Sequence, residues 1–104
     1  MVTEIELADG TRFEGAIGLP DDKHMRIKVT RQLAQQHLLD FVDPEKMAEV
    51  KFYYGVHWDV YRGFTKMLFM EPAPENLIYV WFLAEGEPTV EREHTNVPDV
   101  YLPQ

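Results

Sequence analysis

The first third of the chain alternates between apolar and polar residues in the way that half-buried strands do. In residues 2–7, Ile5 and Leu7 point to one side and Glu4 and Glu6 to the other, and this period of two predicts a strand. The dipeptide Asp9-Gly10 follows, and Asp-Gly between alternating segments indicates a hairpin because glycine readily adopts a positive φ. We therefore predict a return strand over residues 12–17 and a third strand over residues 25–29.

The period of the pattern changes after Thr30. Apolar residues from Leu33 to Phe41 recur at helical spacing, which places them on one face of a helix. Thr30 is a suitable N-cap, and Pro44 ends the helix because proline disfavours helical geometry in the residue before it. The sequence therefore predicts one short helix near residues 31–42.

The period of two returns after Glu49, in a segment that contains both tryptophans and four of the five tyrosines. A proline-containing loop is predicted over residues 71–76. Residues 77–83 are apolar on both faces, which is typical of a central strand covered on both sides or of a strand in a small barrel. Three further strands are predicted before that loop, over residues 50–54, 56–61 and 64–70.

These elements predict a mainly β fold of the α+β class. We expect a small antiparallel barrel or a strongly bent sheet of about six or seven strands, with the helix inserted between strands three and four. The length of 104 residues favours one domain with a modest core. Residues 1–84 are predicted to form this β-rich domain, and residues 85–104 an acidic, proline-containing extension in which residues 89–94 could add an edge strand.

The net charge of the chain limits the kinds of molecule that it is expected to bind. The net charge is −8, and half of it lies in the last fifth of the chain. Direct binding of nucleic acid is disfavoured because phosphate recognition needs clustered lysine and arginine. An acidic surface favours basic protein partners, or provides solubility alone.

The residue types that are missing argue against catalysis. The chain contains no cysteine and no serine, which removes the commonest thiol and hydroxyl nucleophiles. It also has no phosphate-binding glycine loop and no dinucleotide fingerprint. We therefore predict a protein that is not an enzyme, with no catalytic residue, no cofactor and no metal. The acidic N-terminus and the lack of long apolar segments favour a cytoplasmic protein.

The strongest candidate for a surface site lies on the predicted strand over residues 56–61. His57 and Asp59 are two residues apart and share a face, where they could hold a metal or relay a proton. A simple solvent-facing pair is the interpretation that we favour. If alternate residues from Val56 to Val60 face the core, Tyr61 faces outward beside His57 and Asp59, and the three form a predicted partner-binding patch.

The extension supplies the other candidate partner-binding residues. Its carboxylates could contact a basic partner, and its apolar residues could dock on this domain or on a neighbour. The acidic candidates are Glu85, Glu87, Glu91 and Glu93. The apolar candidates are Val100, Tyr101 and Leu102.

The hairpin of residues 5–17 and the segment Tyr61-Arg62-Gly63 leading into residues 64–70 also carry a resemblance. In this respect the short, acidic, cysteine-free chain resembles small β-rich accessory proteins encoded by phages and other mobile elements. The resemblance lies in the hairpins and assigns no functional residue.

Three functions remain open. The first is a non-enzymatic protein-interaction or assembly module that binds a protein partner or itself through a sheet edge, the Tyr61 face or the extension. The second is an acidic inhibitor that mimics nucleic acid at a basic site, for which binding should weaken steeply with salt. The third is a small-ligand carrier or enzyme that uses the mouth of a barrel, which requires a deep pocket with convergent polar groups.

Overall fold

The computed structural model describes residues 2–95, and these residues form nine strands and two short helices. The helices are α1 (Arg31–Gln36) and α2 (Leu38–Phe41), and a single 3₁₀ turn spans Pro74–Asn76. The strands are β1 (Thr3–Glu6), β2 (Arg12–Glu14), β3 (Ala16–Gly18), β4 (His24–Thr30), β5 (Glu49–Tyr54), β6 (His57–Arg62), β7 (Lys66–Ala73), β8 (Leu77–Leu83) and β9 (Thr89–Thr95).

The strands build two antiparallel sheets, which confirms the mainly β fold. The five-stranded sheet has the order β2-β1-β5-β6-β9, and the four-stranded sheet has the order β3-β4-β8-β7. The predicted second strand, residues 12–17, bends at Gly15 and passes from one sheet to the other. The fold is therefore a strongly bent sheet and not a closed barrel. The strand count exceeds six or seven, partly because residues 12–17 contribute both β2 and β3. For the same reason the helices follow the fourth strand and not the third.

The Asp-Gly hairpin forms as predicted. The N–H of Leu7 donates to the carbonyl of Thr11 at 2.8 Å, and Gly10 takes a φ of 91°. Only glycine adopts that backbone conformation at little cost. The turn sets Ile5 directly opposite Phe13, so both side chains point into the core.

The helical segment links the two sheets. The side chain of Thr30 accepts a hydrogen bond from the N–H of Leu33 at 3.1 Å, which confirms Thr30 as the N-cap. Phe41 is fully buried, and its ring meets those of Phe13 on β2 and Phe82 on β8 edge-on, at 5.8 and 5.9 Å. The helix predicted near residues 31–42 is thus present, and it is divided at His37.

Asp40 holds the helix to the connection that follows it. Its carboxylate accepts a hydrogen bond from Lys46 Nζ at 2.8 Å and lies 2.9 Å from Nδ1 of His37. The hydrogen bond from Lys46, followed by that from His37, lowers the pKa of Asp40 below its usual value. The His37 ring also stacks on Phe13 at 4.5 Å, so His37 is a partly buried core residue, as predicted.

We expect Asp40→Asn to lower the free energy of unfolding at pH 7 by about 1 kcal/mol, because charge-assisted hydrogen bonds are lost at a partly solvated site. The folded pKa of Asp40 is depressed, so its contribution is present above the unfolded pKa of about 3.9 and is lost as the pH falls through the folded value. Urea denaturation at pH 7 and below pH 4 measures this difference. An equal loss of stability at both pH values would contradict this account.

The C-terminal end of the described chain belongs to the five-stranded sheet. Strand β9 pairs with β6 along an edge, with Val90 opposite Tyr61, so the predicted edge strand is confirmed. Residues 89–95, which the sequence analysis assigned to the extension, are therefore paired with the β-rich domain. The predicted loop over residues 71–76 is shorter, because β7 continues through Ala73.

Candidate functional site

Strand β6 turns Asp59 and Tyr61 inward, so the prediction of an outward patch is wrong. Asp59 is 4% exposed and Tyr61 is 3% exposed. The two-residue turn between β5 and β6 sets Tyr54 opposite His57 and Val50 opposite Tyr61. Directly paired residues share a face, so the buried Val50 requires an inward Tyr61. Of the three predicted residues only His57 is exposed.

Trp58 lies on the opposite face of β6 from Tyr61, although the sequence pattern assigned it to the core. Its ring stacks on His94 at 5.3 Å and lies 5.9 Å from that of Tyr53. The guanidinium of Arg12 in turn lies 4.0 Å over Tyr53. These contacts form a partly covered aromatic row on the outer face of the five-stranded sheet.

The buried carboxylate of Asp59 is surrounded by donors. The hydroxyl of Tyr54 donates to Oδ1 at 2.7 Å, and that of Tyr61 donates to Oδ2 at 3.2 Å. Nη1 of Arg92 lies 3.5 Å from Oδ2. A buried charge is tolerated only when it is paired and hydrogen-bonded, and Asp59 meets both conditions. The cluster therefore has a structural explanation, because it ties β5, β6 and β9 together.

Tyr61 acts in this cluster as a donor. Burial, and then the negative charge of Asp59, raise the pKa of its phenol well above the ordinary value. The hydroxyl thus keeps its proton over the range in which proteins are handled, and it continues to donate to Asp59. A phenol held in this state is not poised to act as a base.

A cleft of about 730 Å³ opens beside Arg92. It lies between the β3–β4 turn, residues 19–23, and the inner side of β9. Lys23 and Glu87 approach each other at 3.6 Å, while the guanidinium of Arg92 is engaged with Asp59. Both cations of the cleft are therefore already in ion pairs with this chain, and the cleft presents mixed charge.

The acidic residues of the predicted site differ in their availability. Glu91 accepts a hydrogen bond from Nη1 of Arg62 at 2.6 Å, and this bond lowers its pKa. Glu85 accepts one from the hydroxyl of Thr65, also at 2.6 Å. Glu87 is almost fully exposed. Two of these three carboxylates thus accept short hydrogen bonds from their own chain, and the third, Glu87, is in the longer ion pair with Lys23.

The remaining predicted site residues belong to the extension. The side chain of Glu93 and residues Val100, Tyr101 and Leu102 lie outside the described part of the structure. Docking of the extension therefore stays a prediction.

Sequence patterns missed a surface on the outer side of the four-stranded sheet, which we call the aromatic face: Arg26, Phe69, Tyr79 and Trp81. Phe69 and Trp81 stack with ring centroids 5.6 Å apart and an interplanar angle of 21°. The guanidinium of Arg26 lies 4.0 Å over Tyr79 and 5.4 Å from Trp81. The indole N–H of Trp81 donates to Glu71 at 2.9 Å. Rings, cation and carboxylate thus form one ordered surface.

The aromatic face is open to solvent. On β8 the alternate residues Ile78, Val80 and Phe82 are buried, whereas Tyr79 and Trp81 between them are half-buried. Phe69 on β7 is 48% exposed. The prediction that residues 77–83 are covered on both sides is therefore wrong for their outer side. The pairing of Arg26 with Trp81 brings together residues distant in sequence, so no local signal could reveal it.

Strand β7 borders the aromatic face and ends the sheet. Among residues 2–95 it pairs with β8 alone, so one side of its backbone has no strand partner there. Such an edge can accept an added strand from another chain. The exposed Phe69 lies in the middle of this edge strand.

The histidines and acids of the described residues form pairs and not larger clusters. Nδ1 of His24 lies 2.9 Å from Asp21, but no group of three or more metal-ligating residues is found within residues 2–95. No helix in that range is long and apolar enough to cross a membrane.

Comparisons with known proteins identify no relative of this chain. No family model, no curated protein and no solved structure matches it. The resemblance to phage-encoded accessory proteins stays a prediction.

Proposed function

We propose that the chain is a non-enzymatic protein-interaction or assembly module, and that the aromatic face with the β7 edge is its binding surface. The observation that supports this is the half-exposed stack of Phe69 on Trp81, flanked by Arg26. Tryptophan, tyrosine and arginine are the residues most enriched at interface hot spots. The hairpin resemblance extends the proposal to an accessory protein of a phage or mobile element.

The order of the aromatic face favours binding. Trp81 is held by Phe69 on one side and by the hydrogen bond to Glu71. Arg26 is held against Tyr79. Side chains that are already fixed lose little conformational entropy when a partner packs on them. More of the contact energy then appears as affinity.

Strand addition at β7 would supply a second element of recognition. Main-chain hydrogen bonds of an added strand provide affinity that does not depend on sequence, and the side chains beside it provide specificity. Pro72 has no N–H to donate and lies near the end of β7. The earlier part of the strand, which contains Phe69, is therefore the better edge for a partner.

The alternative functions have less support. An acidic mimic of nucleic acid requires free carboxylates, whereas Glu91 and Glu85 are bonded to Arg62 and Thr65. A carrier that uses a barrel interior requires space, whereas the interior is filled by a continuous apolar cluster from both sheets and α2. The carrier would have to use the mixed-charge cleft in place of a barrel interior, and the acidic mimic would have to use carboxylates of the extension.

The expected effect of Phe69→Gln is a loss of about tenfold or more in binding to the natural partner, because a central aromatic anchor is removed. The immobilised chain is exposed to extract of its native host, and the bound proteins are quantified by mass spectrometry. Val56→Gln is the matched control, because Val56 is 47% exposed and lies at the β5–β6 turn. It should retain the partner.

Two results would contradict the proposal. If Phe69→Gln captures as much of the partner as the parent does, the aromatic face is not the binding surface. If the parent captures no protein and stays monomeric by light scattering at low and high salt, the chain is not an interaction module. Thermal melting of both variants ensures that a loss of binding is not a loss of folding.

A further inference from the structure

The edge strand β3 creates a depression beside the aromatic face. Ala16 and Gly18 lie opposite Lys28 and Arg26 in the register of β3 and β4. Because these two β3 residues are small, they leave a cavity of about 140 Å³, bordered also by Tyr79. We call this cavity the notch.

The notch carries two positive charges that form no direct ion pair with the described part of the chain. Among residues 2–95, neither Arg26 nor Lys28 takes part in an ion pair closer than 4.0 Å. Lys28 is exposed and Arg26 is half-buried. In a chain with a net charge of −8, two cations without a direct ion pair thus border one cavity.

The cation of Arg26 is restrained by an aromatic ring. Its guanidinium lies with its carbon 4.0 Å from the centre of the Tyr79 ring. A cation–π contact engages the charge of a guanidinium and not its N–H donors. The ring therefore restrains the cation without consuming its hydrogen-bond donors.

We propose that the notch binds a carboxylate side chain, glutamate or aspartate, of an acidic segment in the protein partner. Arg26 and Lys28 donate to the carboxylate, and the small residues Ala16 and Gly18 leave room for it. Charge complementarity of this kind sets the register and the specificity of an interface. The inference rests on the proposed function, since it assigns the chemistry of the partner that occupies the aromatic face.

A polypeptide suits this surface better than a nucleic acid. Binding to a phosphate backbone depends on many cations that each release counterions, whereas the notch offers two within a strongly acidic chain. A single carboxylate needs no more than two donors, and the adjacent stack of Phe69 on Trp81 offers an apolar contact to the same segment.

The probe is a fluorescein-labelled peptide of eight glutamates, titrated with the intact chain at low salt and followed by fluorescence anisotropy. We expect Lys28→Gln and Arg26→Gln each to weaken binding by about fivefold or more. Gly18→Val keeps both charges but occupies the notch, and it should weaken binding to a similar extent. A Cβ at Gly18 meets no atom within 4 Å, so this variant should fold.

Lys51→Gln provides the matched control for charge. Lys51 lies on β5 in the other sheet, and among residues 2–95 it forms no ion pair either. Its removal makes the net charge more negative by the same one unit as Lys28→Gln does, and peptide affinity should stay within about twofold of the parent. Circular dichroism and melting curves establish that all four variants are folded.

Four outcomes would contradict the proposal that the notch binds a carboxylate. One is that the parent binds no peptide, and another is that Gly18→Val binds it with the affinity of the parent. A third is that Lys51→Gln loses as much peptide affinity as Lys28→Gln does. The fourth is that the parent binds an eight-residue oligothymidine with the same label more tightly than the peptide. The proposed function is tested separately. If Phe69→Gln loses a host partner that Gly18→Val and Lys28→Gln still bind, that result supports the interaction module and contradicts only the proposed role of the notch.

Discussion

Phe41→Ala is expected to lower the free energy of unfolding by about 3–5 kcal/mol, because it empties a fully buried aromatic site. Phe41 has no exposed surface, and its ring contacts Phe13 and Phe82, which belong to different sheets. The substitution therefore removes the contact by which α2 joins the two sheets. A domain of about this size has a total stability of about 5–15 kcal/mol, so the variant should be close to unfolding.

Urea denaturation of the parent and the variant measures this loss. Leu39→Ala is the matched control on the same helix, since Leu39 is 79% exposed. It should change the stability by less than about 0.5 kcal/mol. A loss below about 1 kcal/mol in Phe41→Ala would show that α2 does not hold the sheets together.

Gly15→Ala is expected to destabilise the fold by about 1–3 kcal/mol, although alanine ordinarily suits a strand better than glycine does. A Cβ at this position would lie 2.8 Å from Cδ1 of Ile5, 2.9 Å from Cγ1 of Val29 and 3.0 Å from the carbonyl of Lys28. The end of the Ile5 side chain can move. Val29 is stiff at χ1, and the carbonyl belongs to a paired strand, so the sheets themselves must shift.

The control for Gly15→Ala lies three residues further along the chain. Gly18→Ala adds a Cβ that meets no atom within 4 Å, and it should leave the stability unchanged or raise it by a few tenths of a kcal/mol. Thermal melting of the two variants side by side gives the comparison. If Gly15→Ala melts at the temperature of the parent, the close approach of the sheets at the bend tolerates a side chain.

The bend at Gly15 also matters for the proposed binding surface. It places β3 against β4, with Ala16 opposite Lys28, and this pairing creates the notch. The notch thus depends on the crossing of β2 into β3. A variant that shifts the sheets should weaken peptide binding as well as stability, whereas Leu39→Ala should affect neither.

Local signals account for the parts of the fold that were predicted correctly. The Asp9-Gly10 turn and the Thr30 cap each depend on neighbours in sequence, and each is present. Turn chemistry and capping act over a few residues. Their outcome is therefore visible in the sequence.

The direction of the side chains on β6 was not predictable in the same way. Both faces of this strand contain aromatic residues, so the pattern of residues 56–61 did not identify the inner face. The pairing of Val50 with Tyr61 decides it, because a shift of one residue in register moves every side chain to the opposite face. Asp59 consequently lies among Tyr54, Tyr61 and Arg92 and not on the surface.

The sequence by itself determined that the chain is a mainly β, acidic domain with a capped helical segment and without cysteine or serine nucleophiles. Composition and local pattern suffice for these properties because each is a property of short segments or of the whole count. Only the tertiary structure decided which carboxylates are buried, where the sheet bends, and that Arg26, Phe69, Tyr79 and Trp81 share one face. Those features arise from the pairing of strands distant in sequence, and that pairing is settled by packing across the whole domain.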